Sequence, residues 1–335
     1  MFENLNKDEK VYVAGHSGMV GSAILRKLLI NNIDQDNILT SNREDLDLTK
    51  QAEVNKFFQN NKIKYVFLSA AKVGGIIANN TFPAEFIFKN LMIQSNIIEA
   101  ANNNGVKRLL FLGSSCIYPK NAIQPIPESE FLNGYLEPTN RPYAIAKISG
   151  IEMIWSYNRQ YNSKENMKSI AVMPTNLYGI NDNYDPETSH VIPGLINKIH
   201  KAKNEQSTEV TIWGTGKPLR EFMFADDLAE ACTYLLGLDD NDYNGIVAGN
   251  RNNGLAPIVN VGSGEEICIY QLAKKISAVI GFNGNIKLDI SKPDGTSRKL
   301  LDSTILNKLG WTHKTNLERG LKIVYNDFLK NLDSL

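Results

Sequence analysis

The sequence predicts an α/β fold built on a doubly wound parallel sheet, with a smaller region in the C-terminal half. Three observations favour this fold. Apolar strand-like segments alternate with helix-like segments through the first half of the 335 residues, which is typical of parallel strands joined by covering helices. A glycine-rich turn joins the first strand to the first helix. Polar residues follow several strands, at the edge where open α/β sheets bind ligands.

Each element of the first half follows from its local pattern. Short apolar runs rich in β-branched residues predict buried strands, and longer runs with an apolar face predict helices. Gly105 follows the longest helix-like run as a stop signal. The predicted elements are a strand at 11–14, a helix at 22–29, a strand at 37–40, a helix at 49–60, a strand at 65–71, a helix at 83–103, a strand at 108–115, a helix from 143 and a strand at 169–179. From about residue 180 the pattern is irregular, and we expect a second region at 180–335 whose segments at about 210–262 return to the main sheet.

Three glycines separate the first strand from the first helix, in the run Gly15-His16-Ser17-Gly18-Met19-Val20-Gly21. At this spacing the first glycine permits a tight turn, the second lets a pyrophosphate approach the backbone, and the third lets the helix pack on the strand. The helix N-terminus then faces the phosphates. A structural turn gives similar glycines, but the flanking strand and helix favour a dinucleotide site, and 1–179 is predicted as its domain.

Tyr143 and Lys147 are four residues apart, so both lie on one face of a helix. A lysine ammonium beside a phenol favours the phenolate, and we expect a lowered pKa for Tyr143. A phenol tuned in this way can exchange a proton with a carbonyl-derived oxygen near neutral pH. A surface helix pair gives the same spacing. The enzyme interpretation depends on Gly15, Ser114–Cys116 and Pro174–Asn176, which follow predicted strands and therefore meet this helix in one crevice.

Composition argues against several classes of protein. The 36 basic and 36 acidic residues give zero formal net charge, so we expect no nucleic-acid partner. No apolar run approaches the roughly 18–20 residues that span a bilayer, and the polar start is unlike a signal peptide. The three cysteines and four histidines form no disulfide framework or metal pattern. We expect a cytoplasmic protein without a membrane partner or a metal.

The order of the glycine loop, the strand-end serine and the Tyr-x-x-x-Lys pair resembles the extended short-chain dehydrogenase/reductase family, and the run Arg220–Ala229 resembles its signature. The resemblance implies a Rossmann-type sheet with a smaller C-terminal substrate-binding region. The resemblance covers essentially the whole chain. Within the family, the chain is most similar to bifunctional 3,5-epimerase/4-reductases that convert GDP-4-keto-6-deoxymannose to GDP-fucose. The runs that carry this are Ala14–Gly21, Ala70–Ile76, Phe111–Pro119, Glu137–Tyr143, Ser189–Pro193 and Lys292–Thr296.

The resemblance also implies catalytic roles, for two epimerisations followed by a reduction. Tyr143 would give a proton to O4, Ser114 would hydrogen-bond O4, and Lys147 would also hold the nicotinamide ribose. Cys116 would be the epimerisation base, which requires a lowered thiol pKa, and His190 the acid. The alternatives are a small buried hydrophobe for Cys116 and a histidine that contacts only the cofactor for His190.

NADPH is the expected cofactor. Relatives often carry Arg at the position of Ser17, where the cation is missing here, but Arg43 keeps the other family position near the 2′-phosphate. No acidic residue stands directly at that strand end, although Glu44 and Asp45 follow closely, so NADPH is favoured over NADH. The expected cofactor-binding residues are Gly15, His16, Ser17, Gly18, Met19, Val20, Gly21, Arg43, Leu112, Gly113, Ser114, Ser115, Lys147, Pro174, Thr175, Asn176, Leu177 and His190.

Family positions point to Lys198, Trp213, Arg220 and Asp294 for the nucleotide-sugar, with Arg220 as a guanidinium fork on the diphosphate. The expected small-molecule partner is GDP-4-keto-6-deoxymannose. Family members also lead us to expect a homodimer built from paired helices.

Three alternatives stay open at this point. The nearest is an epimerase/reductase of a related GDP-4-keto sugar, from a colitose or heptose pathway. A 4,6-dehydratase or simple 4-epimerase of the same fold is disfavoured, because dehydratases carry an acidic pair just after the catalytic hydroxyl and Ser115-Cys116-Ile117 offers none. A non-catalytic NADP-binding protein is disfavoured, because such proteins usually lack the tyrosine or the lysine.

Overall fold

The computed structural model describes residues 6–161, 166–185, 188–249, 255–292 and 294–332. Pro293, within the Lys292–Thr296 run, lies outside the described residues. The strands are β1 (Val11–Ala14), β2 (Ile38–Leu39), β3 (Tyr65–Leu68), β4 (Arg108–Leu112), β5 (Lys168–Pro174), β6 (Asn176–Tyr178), β7 (Glu209–Trp213), β8 (Leu219–Phe224), β9 (Ile258–Val261), β10 (Glu266–Cys268), β11 (Asn285–Asp289) and β12 (Arg298–Lys299). The helices are α1 (Met19–Ile30), α2 (Gln51–Asn61), α3 (Ile76–Thr81), α4 (Pro83–Asn103), α5 (Arg141–Gln160), α6 (Val191–Asn204), α7 (Ala225–Leu236), α8 (Asp240–Ala248), α9 (Ile269–Ile280), α10 (Thr304–Lys308) and α11 (Leu317–Lys330). None of these helices combines the length and the apolar character that crossing a bilayer requires.

Six parallel strands form the main sheet, in the order β2-β1-β3-β4-β5-β9. The chain runs outward from β1 to β2 and then returns past β1 to β3, so the strand order reverses between β1 and β3. Doubly wound sheets open a ligand crevice at such a reversal, beyond the carboxyl ends of the strands. The predicted α/β fold class is confirmed.

Both faces of the main sheet are buried, which explains why its strands form nearly continuous apolar runs in the sequence. Val11 and Val13 point into one apolar cluster that includes α1 and α7. Tyr12 and Ala14 point to the opposite face, into a cluster that includes α2, α4 and α5. Helix α1 is also held to α7 by an ion pair of 2.8 Å between Arg26 and Asp226.

The smaller region is organised around β8. This strand lies between β10 and β12, and its last residues pair with β6. Strands β7 and β11 form a separate parallel pair, and α6, α9 and α11 close a third apolar cluster over these strands. Within 210–262, β9 joins the main sheet and α7 packs on α1, whereas β7 and β8 lie in the smaller sheets. The division into two domains stays a prediction.

The strand predicted at 65–71 ends at Leu68 and the one predicted at 37–40 spans Ile38–Leu39, while two further strands differ for local reasons. The strand predicted at 108–115 ends at Leu112, and Ser115–Ile117 forms a 3-10 turn in which the Ser114 hydroxyl accepts from the Cys116 N–H at 3.3 Å. The strand predicted at 169–179 is divided at Thr175. Thr175 still donates its N–H to Val261 of the main sheet, at 3.1 Å, and β6 then pairs with β8.

Candidate active site

The three glycines of the nucleotide loop have distinct backbone surroundings. Gly15 has a φ of +87°, in the left-handed region that favours glycine, and a Cβ there would lie 2.7 Å from the Ala70 backbone. A Cβ on Gly21 would lie 2.0 Å from the Gly15 oxygen, so only glycine lets α1 pack this closely. At Gly18 the nearest described atom to a Cβ would be 3.6 Å away. Gly15 therefore forms the tight turn, Gly18 leaves space for a ligand to approach the backbone, and Gly21 lets the helix pack closely on the loop.

The start of α1 fits an anionic pyrophosphate. Gly18 is the N-cap residue, and within the described part of the chain no side-chain hydrogen bond caps the first turn. The Nδ1 atom of His16 is buried and has no hydrogen-bond partner among the described residues. Free N–H groups at a helix N-terminus favour an anionic ligand, so the residues present fit a dinucleotide.

Asn181 closes over this loop, and the sequence analysis missed it. Its side-chain amide donates to the Ser17 carbonyl at 2.7 Å, and its backbone N–H donates to the Asp327 carboxylate at 3.0 Å. Asn181 has a φ of +65°, a conformation that asparagine tolerates better than most residues. The glycine loop is thereby tied to α11, by partners too distant in sequence to form a motif.

The predicted Tyr143–Lys147 pair lies on α5, beside the end of β4. Lys147 is 2% exposed, and its ammonium donates to the Leu112 carbonyl at 2.7 Å. The same Nζ atom lies 4.7 Å from the centroid of the Phe111 ring and 5.8 Å from that of Tyr143. The phenol ring also packs edge-on against buried Phe86, at 6.2 Å between centroids. These contacts fix both side chains at the predicted crevice.

The prediction that the pKa of Tyr143 is lowered is wrong for this structure. Burial raises the pKa of the phenol, the negative charge of a Cys116 thiolate raises it further, and a hydrogen bond with Ser114 only partly lowers it. Desolvation of the phenolate outweighs the favourable contacts. Burial also lowers the pKa of Lys147 to about 8, against the opposing effect of the Cys116 thiolate.

Cys116 lies in the 3-10 turn beyond β4 and is 8% exposed. Burial raises the pKa of its thiol, and three neighbours oppose this effect: Lys299 most strongly, then a hydrogen bond with Ser114, then Lys147. The lowered pKa that a thiol base requires is therefore absent from this structure, because desolvation dominates. The neighbours nevertheless show that Ser114, Cys116, Tyr143 and Lys147 share one site.

Lys299 is a cation of this site that the sequence analysis did not identify. It lies on β12 directly opposite Arg220 of β8, in a parallel pairing that places both side chains on the same face. Burial lowers the pKa of its ammonium, and the charge of a Cys116 thiolate raises it. No motif marks Lys299 in the sequence. Only the pairing of two distant strands brings it to the thiol.

His190 stands at the start of α6, as its N-cap residue. Desolvation lowers the pKa of its imidazole. The preceding segment contacts the run at 70–76, since the Gly75 N–H donates to the Thr188 carbonyl at 3.2 Å. A Cβ on Gly75 would also lie 3.1 Å from the Ser189 oxygen, so the runs at 70–76 and 189–193, which both resemble the family, lie against each other.

The predicted cofactor residues at the other strand ends are also brought together. Gly113 donates its N–H to Val172 at 2.9 Å, and the Thr175 hydroxyl and Asn176 amide both donate to the Glu221 carbonyl, at 3.2 and 2.9 Å. Leu112–Ser115 and Pro174–Leu177 therefore stand beside each other at the carboxyl edge. Arg43 is exposed beyond β2.

The four predicted nucleotide-sugar residues cluster in the smaller region. Asp294 accepts from the N–H and the hydroxyl of Thr215, at 2.9 and 2.6 Å, and its charge partly offsets the burial that lowers the pKa of Arg220. Thr215 lies just past Trp213, whose side chain is 58% exposed. Burial lowers the pKa of Lys198, and the charge of Asp289, the register partner of Trp213, partly offsets this effect.

A cavity of about 230 Å³ opens next to this cluster. It is polar, and its lining comes from two segments of the chain, 120–137 and 294–297. The lining residues are Lys120, Asn121, Glu137, Asp294, Gly295, Thr296 and Ser297. Gly295 of this lining lies next to Arg220, since a Cβ there would be 3.0 Å from the Arg220 Nη2 atom.

The model of the NAD dependent epimerase/dehydratase family matches residues 11–249. The chain belongs to this family. Within it, the chain is 52% identical over 327 residues to GDP-L-fucose synthase 1 of Arabidopsis thaliana, covering 98% of this chain and 95% of the relative. It is 50% identical over 325 residues to the GDP-L-fucose synthase of Escherichia coli (strain K12), covering 97% and 98%.

Solved structures of the family agree with this placement. A GDP-6-OMe-4-keto-L-xylo-heptose reductase from C. jejuni superimposes with a TM-score of 0.88 at 33% identity, covering 98% of this chain and 99% of the other. A GDP-L-fucose synthetase from Naegleria fowleri bound to NADP gives 0.84 at 26% identity, covering 99% and 97%. The predicted resemblance to GDP-L-fucose synthases is confirmed, as is the prediction of an enzyme.

Proposed function

We propose that this chain is a bifunctional NADPH-dependent 3,5-epimerase/4-reductase that converts GDP-4-keto-6-deoxy-D-mannose to GDP-L-fucose. The observation that carries the proposal is the grouping of Ser114, Cys116, Tyr143 and Lys147 around one crevice at the sheet edge. The grouping provides a candidate base and a candidate proton donor within a single site. Identity near one half to GDP-L-fucose synthases over nearly the whole chain supports the same reaction.

The epimerisations need a base and an acid on the sugar ring. The ketone at C4 acidifies the protons on C3 and C5, and we assign their removal to the Cys116 thiolate. The positive charges of Lys299 and Lys147 favour that thiolate against the cost of burial. We assign the return of a proton to the opposite face to His190; burial lowers the pKa of its imidazole, so the imidazolium is a stronger acid but is less populated at neutral pH.

The reduction needs a proton at O4. NADPH would supply hydride to C4 when bound. Tyr143 then donates its phenolic proton to the developing alkoxide, and its raised pKa keeps that proton in place until the alkoxide forms. Ser114 hydrogen-bonds the same oxygen, and the Lys147 ammonium supports the phenolate that is left.

The charges around the crevice support the two ligands. We assign Arg43, beyond β2, to the 2′-phosphate of NADPH, since a guanidinium binds phosphate through paired hydrogen bonds. Arg220 and Lys198 provide cations for the diphosphate, and exposed Trp213 provides an aromatic face. Asp294 is engaged by Thr215, so its main effect is to hold the turn after Trp213.

A homodimer in the cytoplasm completes the proposal. Helices α4 and α5 pack side by side, and each carries an exposed apolar residue, Phe88 at 60% and Ile145 at 39%. A second copy of the pair covers such residues in a helical interface.

A related GDP-4-keto sugar is the second candidate substrate, because the C. jejuni heptose reductase shares the fold over almost its whole length. The deciding experiment incubates purified protein with NADPH and GDP-4-keto-6-deoxymannose and analyses the sugar product. GDP-L-fucose at steady turnover is expected. Turnover of a 3-deoxy or heptose analogue without any GDP-L-fucose moves the assignment to the second candidate, and NADP binding without turnover of any of these sugars indicates a non-catalytic protein.

A further inference from the structure

Glu221 is a fully buried carboxylate beside Arg220 that the proposed mechanism does not use. It is 0% exposed, and burial raises the pKa of its carboxyl while backbone hydrogen bonds oppose the shift. Burying a carboxyl is costly unless its oxygens are hydrogen-bonded. The segments that supply hydrogen bonds to Glu221 therefore show which parts of the chain this residue holds together.

The two carboxylate oxygens bind two separate segments of the chain. Oε1 accepts the Gly264 N–H at 2.7 Å, in the turn after β9, and Oε2 accepts the Leu301 N–H at 3.0 Å, two residues beyond Lys299. A Cβ on Gly262 would lie 2.3 Å from Oε1, so the turn is packed directly onto the carboxylate.

The main chain of the same residue contacts the cofactor edge. Its carbonyl accepts the Thr175 hydroxyl at 3.2 Å and the Asn176 side-chain amide at 2.9 Å. Glu221 thus joins the strand end at 174–177 to the segment that carries Lys299, and its neighbour Arg220 lies opposite Lys299 in the pairing of β8 with β12.

We propose that Glu221 is a positioning residue that sets the spacing between the cofactor edge at 174–177 and the cations Arg220 and Lys299. The proposal rests on the proposed function, which assigns the cofactor and the nucleotide-sugar to these two places. A carboxylate accepts at both oxygens, whereas a glutamine turns an amide N–H towards one of the two backbone donors. That donor is left buried and unsatisfied, and its segment moves.

The test compares Glu221→Gln with a matched control, Asp227→Asn. Asp227 is also a buried carboxylate that binds two backbone N–H groups, of Lys314 at 3.1 Å and Thr315 at 2.7 Å, but it ties α7 to the segment before α11. Both backbone N–H groups bind one oxygen of Asp227, Oδ2, so an asparagine can keep them, and Asp227→Asn should lose less Tm than Glu221→Gln. Only Glu221→Gln should raise the Kd for NADP⁺ and the KM for the nucleotide-sugar, each by about tenfold. Equal effects of the two variants on binding overturn the proposal.

A second variant and a second readout cover the case in which Glu221→Gln does not fold. Gly262→Ala displaces the carboxylate without removing it, and the same rise in Kd for NADP⁺ is expected. Hydrogen exchange should quicken in peptides that span 174–177 and 298–302, and unchanged exchange there contradicts the proposal. Calorimetric NADP⁺ binding and hydrogen exchange need no turnover, so they test Glu221 even if the sugar substrate is a different one.

Discussion

The ammonium of Lys147 lies 5.8 Å from the centre of the Tyr143 ring, and its hydrogen bond goes to the Leu112 carbonyl at the end of β4. One turn of α5 therefore delivers a cation and a phenol to the same strand end. Because the ammonium is anchored to the backbone, its distance from the phenol is fixed by the packing of helix on sheet. The first two predictions follow from this relationship.

Replacing Tyr143 by phenylalanine should abolish proton delivery to O4. We expect kcat for ketone reduction to fall by about 10²–10⁴-fold, while the Tm changes little because the ring still packs on Phe86. Single-turnover oxidation of NADPH measures the step. Tyr243→Phe is the control, since that phenol donates to the Lys168 carbonyl, away from the site. A Tyr143→Phe enzyme with more than half of the normal rate rejects the assignment.

The reductase should lose activity as the pH rises through about 8. The Lys147 ammonium has its pKa lowered to about 8 by burial, so it is charged below that pH and neutral above it. The activity that depends on the charge is present at pH 7 and declines as the proton leaves. The measurement is kcat/KM for the nucleotide-sugar against pH, which reports the free enzyme, in the Cys116→Ser variant, where thiolate formation adds no rise with pH. A flat profile from pH 7 to 9.5 contradicts the prediction.

Cys116→Ser should slow epimerisation more than reduction. A serine hydroxyl is a far weaker base than a thiolate, and we expect deuterium incorporation from solvent at C3 and C5 to fall by about 10²-fold. The half-buried Cys268, at the start of α9, gives the control Cys268→Ser. Equal deuterium incorporation by both variants excludes Cys116 as the base.

Lys299→Met should move the pH profile of epimerisation upward. Lys299 contributes the largest of the effects that lower the pKa of the Cys116 thiol, so removing it leaves burial less opposed and raises that pKa. Deuterium exchange measured against pH should then reach its half-maximum at a higher pH than in the wild type. Lys274→Met, which removes a cation that lies over Tyr270, should leave the profile in place. A downward or absent shift in Lys299→Met argues against this coupling.

Arg43→Ala should weaken selection of NADPH. The loss of a charge-assisted contact with the 2′-phosphate should raise KM for NADPH by about tenfold or more and leave KM for NADH unchanged. Steady-state kinetics with both cofactors decide the point. Arg159, which stacks on Trp155 at 4.5 Å, provides the control Arg159→Ala. Equal changes for the two cofactors would place the 2′-phosphate elsewhere.

Local patterns were sufficient to predict much of the fold. Val11–Ala14 and Pro83–Asn103 match their predicted bounds, because apolar runs, an N-terminal proline and a following glycine are local signals. The glycine loop and the Tyr143–Lys147 helix were predictable for the same reason, because each motif is defined by residues that are close together in the sequence.

What the sequence did not predict depends on contacts between distant segments. Lys299 reaches Cys116 only because β12 pairs with β8, and Asn181 reaches Ser17 only because the loop after β6 folds over α1. The shift in the pKa of Tyr143 was predicted in the wrong direction. The four-residue spacing identified the nearby Lys147 ammonium, but the burial that raises the pKa depends on how distant segments pack around the phenol.

The return of β9 to the main sheet has a consequence for how this architecture can diversify. The chain leaves the six-stranded sheet after β5, forms β6, β7 and β8, covers α1 with α7 and then returns to complete the edge with β9. Strands β10, β11 and β12 complete the smaller sheets only after that return. A cut near residue 179 would leave β5 without its partner β9 and would expose the apolar face of α1 that α7 covers. Neither piece is therefore a self-contained unit. We therefore expect new sugar preferences in such a chain to arise by substitution and not by exchange of a self-contained segment.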